Sequence, residues 1–273
     1  MLLHVHEWGD RAAPPLVCLH GVMGHGRRFR KLVEERLAER FHVLALDLRG
    51  HGRSRWEPPW DLATHVGDVL ETVEAAGVAR ASWLGHSFGG RLVLELASLE
   101  PERIERAVLL DPAIRVRPSE ALEKAETERA DRSFATVDEA IENRIETAPL
   151  HSTPRELLEE EMAEHLVRSP DGRFRYRYCQ SAVVAAWSEM CTEPPLFEQA
   201  RVPTLAVLAE RSDLVTAEQL AAWRDALGDL LEVAWVPGGH IVLWDAYEDT
   251  ADAVAEFLAR SPASSNAAAT SGS

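Results

Sequence analysis

Short, nearly continuous apolar runs alternate with amphipathic stretches along most of this chain, and few folds accept that pattern. The runs fall at 2–8, 15–20, 41–47, 81–86, 106–111, 203–209 and 231–236. The middle ones, such as Leu16-Val17-Cys18-Leu19, lack any polar alternation. Both faces of such a strand must be buried, as in a parallel sheet covered by helices. Helical patterns lie between them at 26–40, 62–77, 88–100, 216–228 and 245–260. Strand–helix alternation predicts right-handed crossovers in an open twisted sheet. Reactive groups then gather at the carboxyl ends of the strands.

One stretch breaks the rhythm. From about 113 to 200 no strong strand is expected, and helical patterns occupy 118–130, 136–147, 154–168 and 180–191. Pro112, Pro194-Pro195 and Pro203 mark its edges. So long a segment cannot be a structureless loop in a compact domain. The expected organisation is a core of residues 1–112 and 201–260 with a helical cap inserted at 113–200. Within the cap, Asp171-Gly172 predicts a turn and 174–178 a short extended piece. The last thirteen residues, 261–273, are rich in Ser and Ala and predict a disordered tail.

Charge narrows the partners. With 45 acidic against 29 basic residues the net charge is −16, which repels phosphate backbones and anionic lipid. The expectation is a small-molecule partner, neither nucleic acid nor membrane, and nothing in the sequence sets an oligomeric state. Cys18, Cys179 and Cys191 lack metal-type spacing, so neither a disulfide framework nor a metal site is expected. Cys18, inside an apolar run, reads as a small buried hydrophobe. The amino terminus has no basic region before a long apolar stretch, and a cytoplasmic setting is expected.

The chemistry starts at Gly85-His86-Ser87-Phe88-Gly89, which directly follows an expected strand and opens an expected helix. A sharp strand-to-helix turn holds a hydroxyl clear of the sheet at the positive end of the helix, and its neighbours two positions away must be small. Ser87 is therefore the expected nucleophile. It needs a base, and the base needs an orienting acid. His240 follows the last strand through Pro237-Gly238-Gly239 and is the expected base. Asp213, past the end of the 203–209 strand, is the expected acid, with Glu210 and Asp111 in reserve. A tetrahedral oxyanion needs two N–H donors. Phe88 supplies one, and Val22, in the glycine-bearing loop 20–24, the other. His4 and His6 share a face of the first strand, a surface arrangement more than a metal pair. His20, His25 and His51 fall in loops near the site, with structural or binding roles.

These pieces resemble the α/β-hydrolase superfamily over roughly residues 2–260. The resemblance rests on Leu19-His20-Gly21, on 47–54, on the elbow at 85–90, on Ser212-Asp213 and on Gly239-His240, in the order Ser, Asp, His. It implies an α/β-hydrolase fold with a mostly parallel central sheet, a triad of Ser87, Asp213 and His240, and an oxyanion hole at Val22 and Phe88. It also implies a cap over the pocket, while 47–54 looks like the superfamily's structural loop. Ser87 stands where epoxide hydrolases and haloalkane dehalogenases carry aspartate. Only one strand precedes Leu16, so the superfamily's first strand is expected to be missing.

The expected function is hydrolysis of carboxylic esters of small to medium acyl groups through an acyl-enzyme, with no cofactor. His20, Gly21 and Trp187 are expected to touch substrate, and Phe134, Trp187 and Met190 either shape an acyl pocket or pack the cap. An alternative is hydrolysis of a carbon–carbon bond in ring-cleavage diketones, with Arg91, Arg175 and Arg177 as candidate cationic contacts. A more distant one is a ligand receptor on the same scaffold.

Overall fold

The computed structural model describes residues 1–260 other than 131 and 149; the tail expected at 261–273 lies outside the described residues. Ten strands are named in chain order: β1 (His4–Trp8), β2 (Pro15–Leu19), β3 (His42–Asp47), β4 (Ala81–His86), β5 (Ile104–Leu110), β6 (Ser133–Phe134), β7 (Leu166–Arg168), β8 (Phe174–Tyr176), β9 (Thr204–Ala209) and β10 (Leu231–Val236). Seven of them form one sheet in the order β1-β3-β2-β4-β5-β9-β10. Only β1, at the edge, runs antiparallel to its neighbour. The interior strands β3, β4 and β9 are buried at every position, as their unbroken apolar runs require. The sheet begins on this single antiparallel edge strand, and no described strand flanks β1 on its outer side.

Helices cover the sheet at Leu62–Ala75, Phe88–Leu99, Ala217–Leu227 and Tyr247–Ala259. Asp61 caps the first of these by accepting from the Thr64 amide (2.8 Å). A reciprocal pair between Thr216 and Gln219 caps the third. The single helix expected over 26–40 is broken. A tight turn at Gly26–Phe29 leads through Arg30–Leu32 into a wider turn at Val33–Leu37. That last turn closes with a five-residue bond from the Ala38 amide to the Val33 carbonyl (2.8 Å).

Between β5 and β9 the chain leaves the sheet. It forms helices at Pro118–Glu128, Val137–Thr147, Arg155–His165 and Gln180–Glu189. It also forms a small antiparallel sheet, β6-β8-β7, of which the sequence predicts only the piece at 174–178. The helix expected over 154–168 stops at His165, because Leu166–Arg168 pairs with Phe174–Tyr176 across the turn at Asp171-Gly172. Buried ionic contacts fasten this segment to the core. Glu161 accepts from Arg28 Nε (3.0 Å) and meets His25 Nε2 at 3.1 Å. Asp245 accepts from the amides of His151 (3.0 Å) and Ser152 (3.1 Å), from the Thr153 hydroxyl (2.6 Å) and from the Gly239 amide (2.9 Å). Burial acts to raise the Asp245 pKa, but these donors hold it below its ordinary value. One carboxylate thus pins the inserted segment to the turn that carries His240.

Candidate active site

Ser87 sits between the end of β4 and the helix Phe88–Leu99 with φ 54° and ψ −116°. That conformation is uncommon for a residue with a Cβ. The surroundings enforce it: the Ser87 amide donates to the Leu110 carbonyl (3.1 Å), and the Ser87 carbonyl accepts from Arg91 (3.1 Å) and Ala113 (3.0 Å). A Cβ on Gly85 would run into the Gly89 carbonyl, and one on Gly89 into the Leu19 carbonyl. The elbow therefore needs glycine at both places. Among the described residues, the non-glycine positions with positive φ are Met23, Ser87 and Asp111. Met23 and Ser87 line one cavity and Asp111 lies against its wall, so the backbone strain is concentrated there.

That cavity has a volume of about 250 Å³ and opens between the carboxyl ends of the strands and the inserted segment. Ser87, His240, Val22, Met23 and Trp187 are among its walls. His240 is 23% exposed and donates through Nδ1 to Asp111 Oδ2 at 2.6 Å. This bond fixes the proton on Nδ1 and leaves Nε2 as the acceptor for a serine proton. Asp111, 2% exposed, also accepts from the Ser212 hydroxyl (2.7 Å).

The expected acid, Asp213, is displaced from this role. Its side chain is 85% exposed and pairs with Arg117 at 3.2 Å. The strand order supplies the reason. β5 lies between β4, which carries Ser87, and β9. A carboxylate just past β5 is therefore already central, and the loop after β9 meets it with the Ser212 hydroxyl. Of the two reserves, Asp111 makes the contact. Glu210 is exposed, its amide bonded to the Val236 carbonyl (3.0 Å). The signal available in the sequence was a carboxylate directly ending an apolar run, Leu109-Leu110-Asp111, before Pro112.

Phe88 is the first residue of its helix, whose first intrahelical bond runs from Arg91 to Ser87. Its amide has no acceptor within the helix and lies beside the nucleophile. Val22 lines the cavity, and its loop is closed by the Gly24 amide donating to the Gly21 carbonyl (2.9 Å).

His20 and Gly21 do not line the cavity. His20 is fully buried, and Nε2 accepts from the Leu48 amide (2.9 Å) while Nδ1 donates to the Gly21 carbonyl (2.8 Å). Burial drives its pKa well down and keeps it neutral. It ties the loop after β2 to β3 and has no nitrogen left for substrate. Gly21 makes room: a Cβ there would lie 2.9 Å from the Ser87 Cβ. His86 is likewise held neutral by burial, and its Nε2 donates to the His240 carbonyl (3.0 Å). Among the three apolar candidates, Trp187 faces the cavity. Phe134 stacks edge-on with Tyr176 (5.3 Å), and Met190 is fully buried in the core.

The candidate cations are also elsewhere. Arg91 is buried against the carbonyls of Ile114 (2.6 Å) and Glu193 (2.8 Å), Arg175 pairs with Asp171 (2.8 Å), and Arg177 donates to the Glu164 carbonyl (3.1 Å). None lines the cavity. The 47–54 loop is structural. Asp47 accepts from the amides of Gly26 (2.7 Å) and Arg53 (2.8 Å) and meets His6 Nε2 at 3.1 Å. No helix among the described residues is long and apolar enough to cross a membrane.

Comparison with known proteins agrees with this architecture. The model of the alpha/beta hydrolase fold family matches residues 14–247. Lipase LipV of Mycobacterium tuberculosis is 32% identical over 241 residues, 88% of this chain and 91% of that protein. The sn-1-specific diacylglycerol lipase ABHD11 of Mus musculus is 26% identical, over 92% of this chain and 83% of its own. Among solved structures, E-2-(acetamidomethylene)succinate hydrolase superposes with a TM-score of 0.82 at 25% identity, covering 94% of each chain.

Proposed function

The chain belongs to the alpha/beta hydrolase fold family, and from that premise we propose that it is a serine hydrolase of carboxylic esters using Ser87, His240 and Asp111. One observation carries the reading: a serine on a strained elbow shares a cavity with a histidine whose far nitrogen is held by a buried carboxylate. His240 Nε2 takes the Ser87 proton as Oγ attacks the ester carbonyl. The amides of Phe88 and Val22 receive the oxyanion. Collapse of the tetrahedral intermediate breaks the carbon–oxygen bond. The imidazolium returns its proton to the departing alcohol, leaving an acyl-serine. His240 then deprotonates water, which attacks the acyl-serine, and the imidazolium returns that proton to Ser87 Oγ as the acid leaves. Asp111 orients the ring and stabilises its charged form throughout. Residues 113–200 act as a cap that closes the pocket and sets acyl preference, with Trp187 at its wall.

The lipase names of the two relatives support an ester substrate. The test is a panel of p-nitrophenyl esters of graded chain length. Ser87→Ala is expected to lower kcat by on the order of 10⁴-fold or more. Undiminished turnover by that variant contradicts the reading. A ring-cleavage diketone added to the panel tests the carbon–carbon alternative, whose expected cations do not reach the cavity.

A further inference from the structure

The cavity wall carries more charge than an acyl pocket for plain esters requires. Besides the half-buried Lys124 and the exposed Arg211, three arginines set into the wall line it: Arg28, Arg132 and Arg144. Two of them are neutralised in place: Arg28 by Glu161, and Arg132 by Glu128 at 2.8 Å. Arg144 is not. It is 9% exposed, and among the described residues no carboxylate pairs with its guanidinium and no acceptor receives its N–H groups.

Its neighbours sharpen the point. The Trp244 ring lies 5.8 Å from the Arg144 guanidinium carbon and 4.9 Å from that of Arg28. Aromatic contact of this kind engages the π system of a guanidinium and leaves its fork of N–H donors in want of a planar partner. Burial, and then the nearby Arg28 cation, lower the Arg144 pKa, against a partial offset from Tyr176, Glu161 and Tyr178. Arg144 also lies on the inward face of the helix Val137–Thr147, with Ala140 and Ile141. It is therefore not a surface arginine folded under.

A buried cation without a counter-ion is costly unless a ligand brings one. We propose that Arg144 is the binding site for a carboxylate of the substrate. The preferred ester then carries a free carboxylate apart from the bond Ser87 attacks, as a monoester of a dicarboxylic acid does. The guanidinium's fork of donors matches a carboxylate edge to edge.

The choice of ester as the reacting group rests on the reading of Ser87; the carboxylate site itself does not, and the experiment separates the two. Full-length wild type, Ser87→Ala and Arg144→Met are assayed by acid release on monoethyl glutarate and ethyl pentanoate, whose acyl chains have equal length. Each protein is also melted with and without glutarate. Wild type is expected to favour the charged ester by about tenfold or more in kcat/KM. Arg144→Met is expected to erase that preference, chiefly through KM. Glutarate is expected to raise the Tm of wild type and Ser87→Ala but not of Arg144→Met. Arg144→Met alone is expected to melt at or above wild type, because it removes an unbalanced buried charge; this separates loss of the site from loss of the fold. The proposal is overturned if Arg144→Met keeps both the preference and the glutarate shift, or if wild type shows neither. An Arg144-dependent glutarate shift without turnover of either ester would uphold the carboxylate site and sink the ester reading. Turnover of ethyl pentanoate through Ser87, with no preference and no shift, would do the reverse.

Discussion

Two loops follow neighbouring strands of the sheet, each carries an aspartate, and only one aspartate touches the base. Asp111 closes β5, is 2% exposed and holds His240 at 2.6 Å. Asp213 lies four residues past β9, is 85% exposed and shares Arg117 with Glu120 (3.6 Å). The difference is one of position in the sheet. β5 lies directly beside the strand that presents Ser87, and its end is roofed by the loop after β9. That loop does reach the site, but with Ser212, one residue short of its carboxylate. A strand-end acid is thus chosen by which strand it ends and how deeply it is covered.

Substitutions at the two loops can break this contrast. Asp111→Asn is expected to lower kcat for ester turnover by on the order of 10³–10⁴-fold, since an amide stabilises neither the required tautomer nor the imidazolium. Steady-state kinetics on a p-nitrophenyl ester checks it, and a loss under tenfold would shift the acid's role away from β5. Ser212→Ala removes one of the donors to Asp111. A hydrogen bond to a charged group predicts a fall in kcat of roughly tenfold, measured in the same assay. Asp213→Asn should change kcat by less than about twofold and Tm by no more than about 1–2 °C, because exposed ion pairs contribute little. A large loss from Asp213→Asn would reverse the assignment of the two loops.

The sheet was legible because burial on both faces leaves a direct mark in composition, and each expected strand appears within two residues of its observed ends. The elbow was legible because strand, small residues and helix all bear on Ser87. The acid was less so. Apolar periodicity locates the ends of β5 and β9 but not their order in the sheet, and that order decides between Asp111 and Asp213. The inserted segment showed the same limit. Its helices follow from their patterns, yet which side chains turn inward depends on how they pack. Trp187 faces the cavity while Phe134 and Met190 do not. Arg144 reads in sequence as one charge on an acidic helix, although its spacing from Ala140 and Ile141 places it on the apolar face. His20 had a functional look from its loop, but two backbone bonds consume its ring.

The central claim is that Asp111, through His240, activates Ser87. The rate at which a fluorophosphonate probe modifies the protein, followed by intact mass with the adduct mapped to its residue, tests it without any assumption about substrate. A single adduct on Ser87 is expected, formed at the wild-type rate in Asp213→Asn and orders of magnitude more slowly in Asp111→Asn. Slow labelling of Asp213→Asn beside wild-type labelling of Asp111→Asn would contradict it.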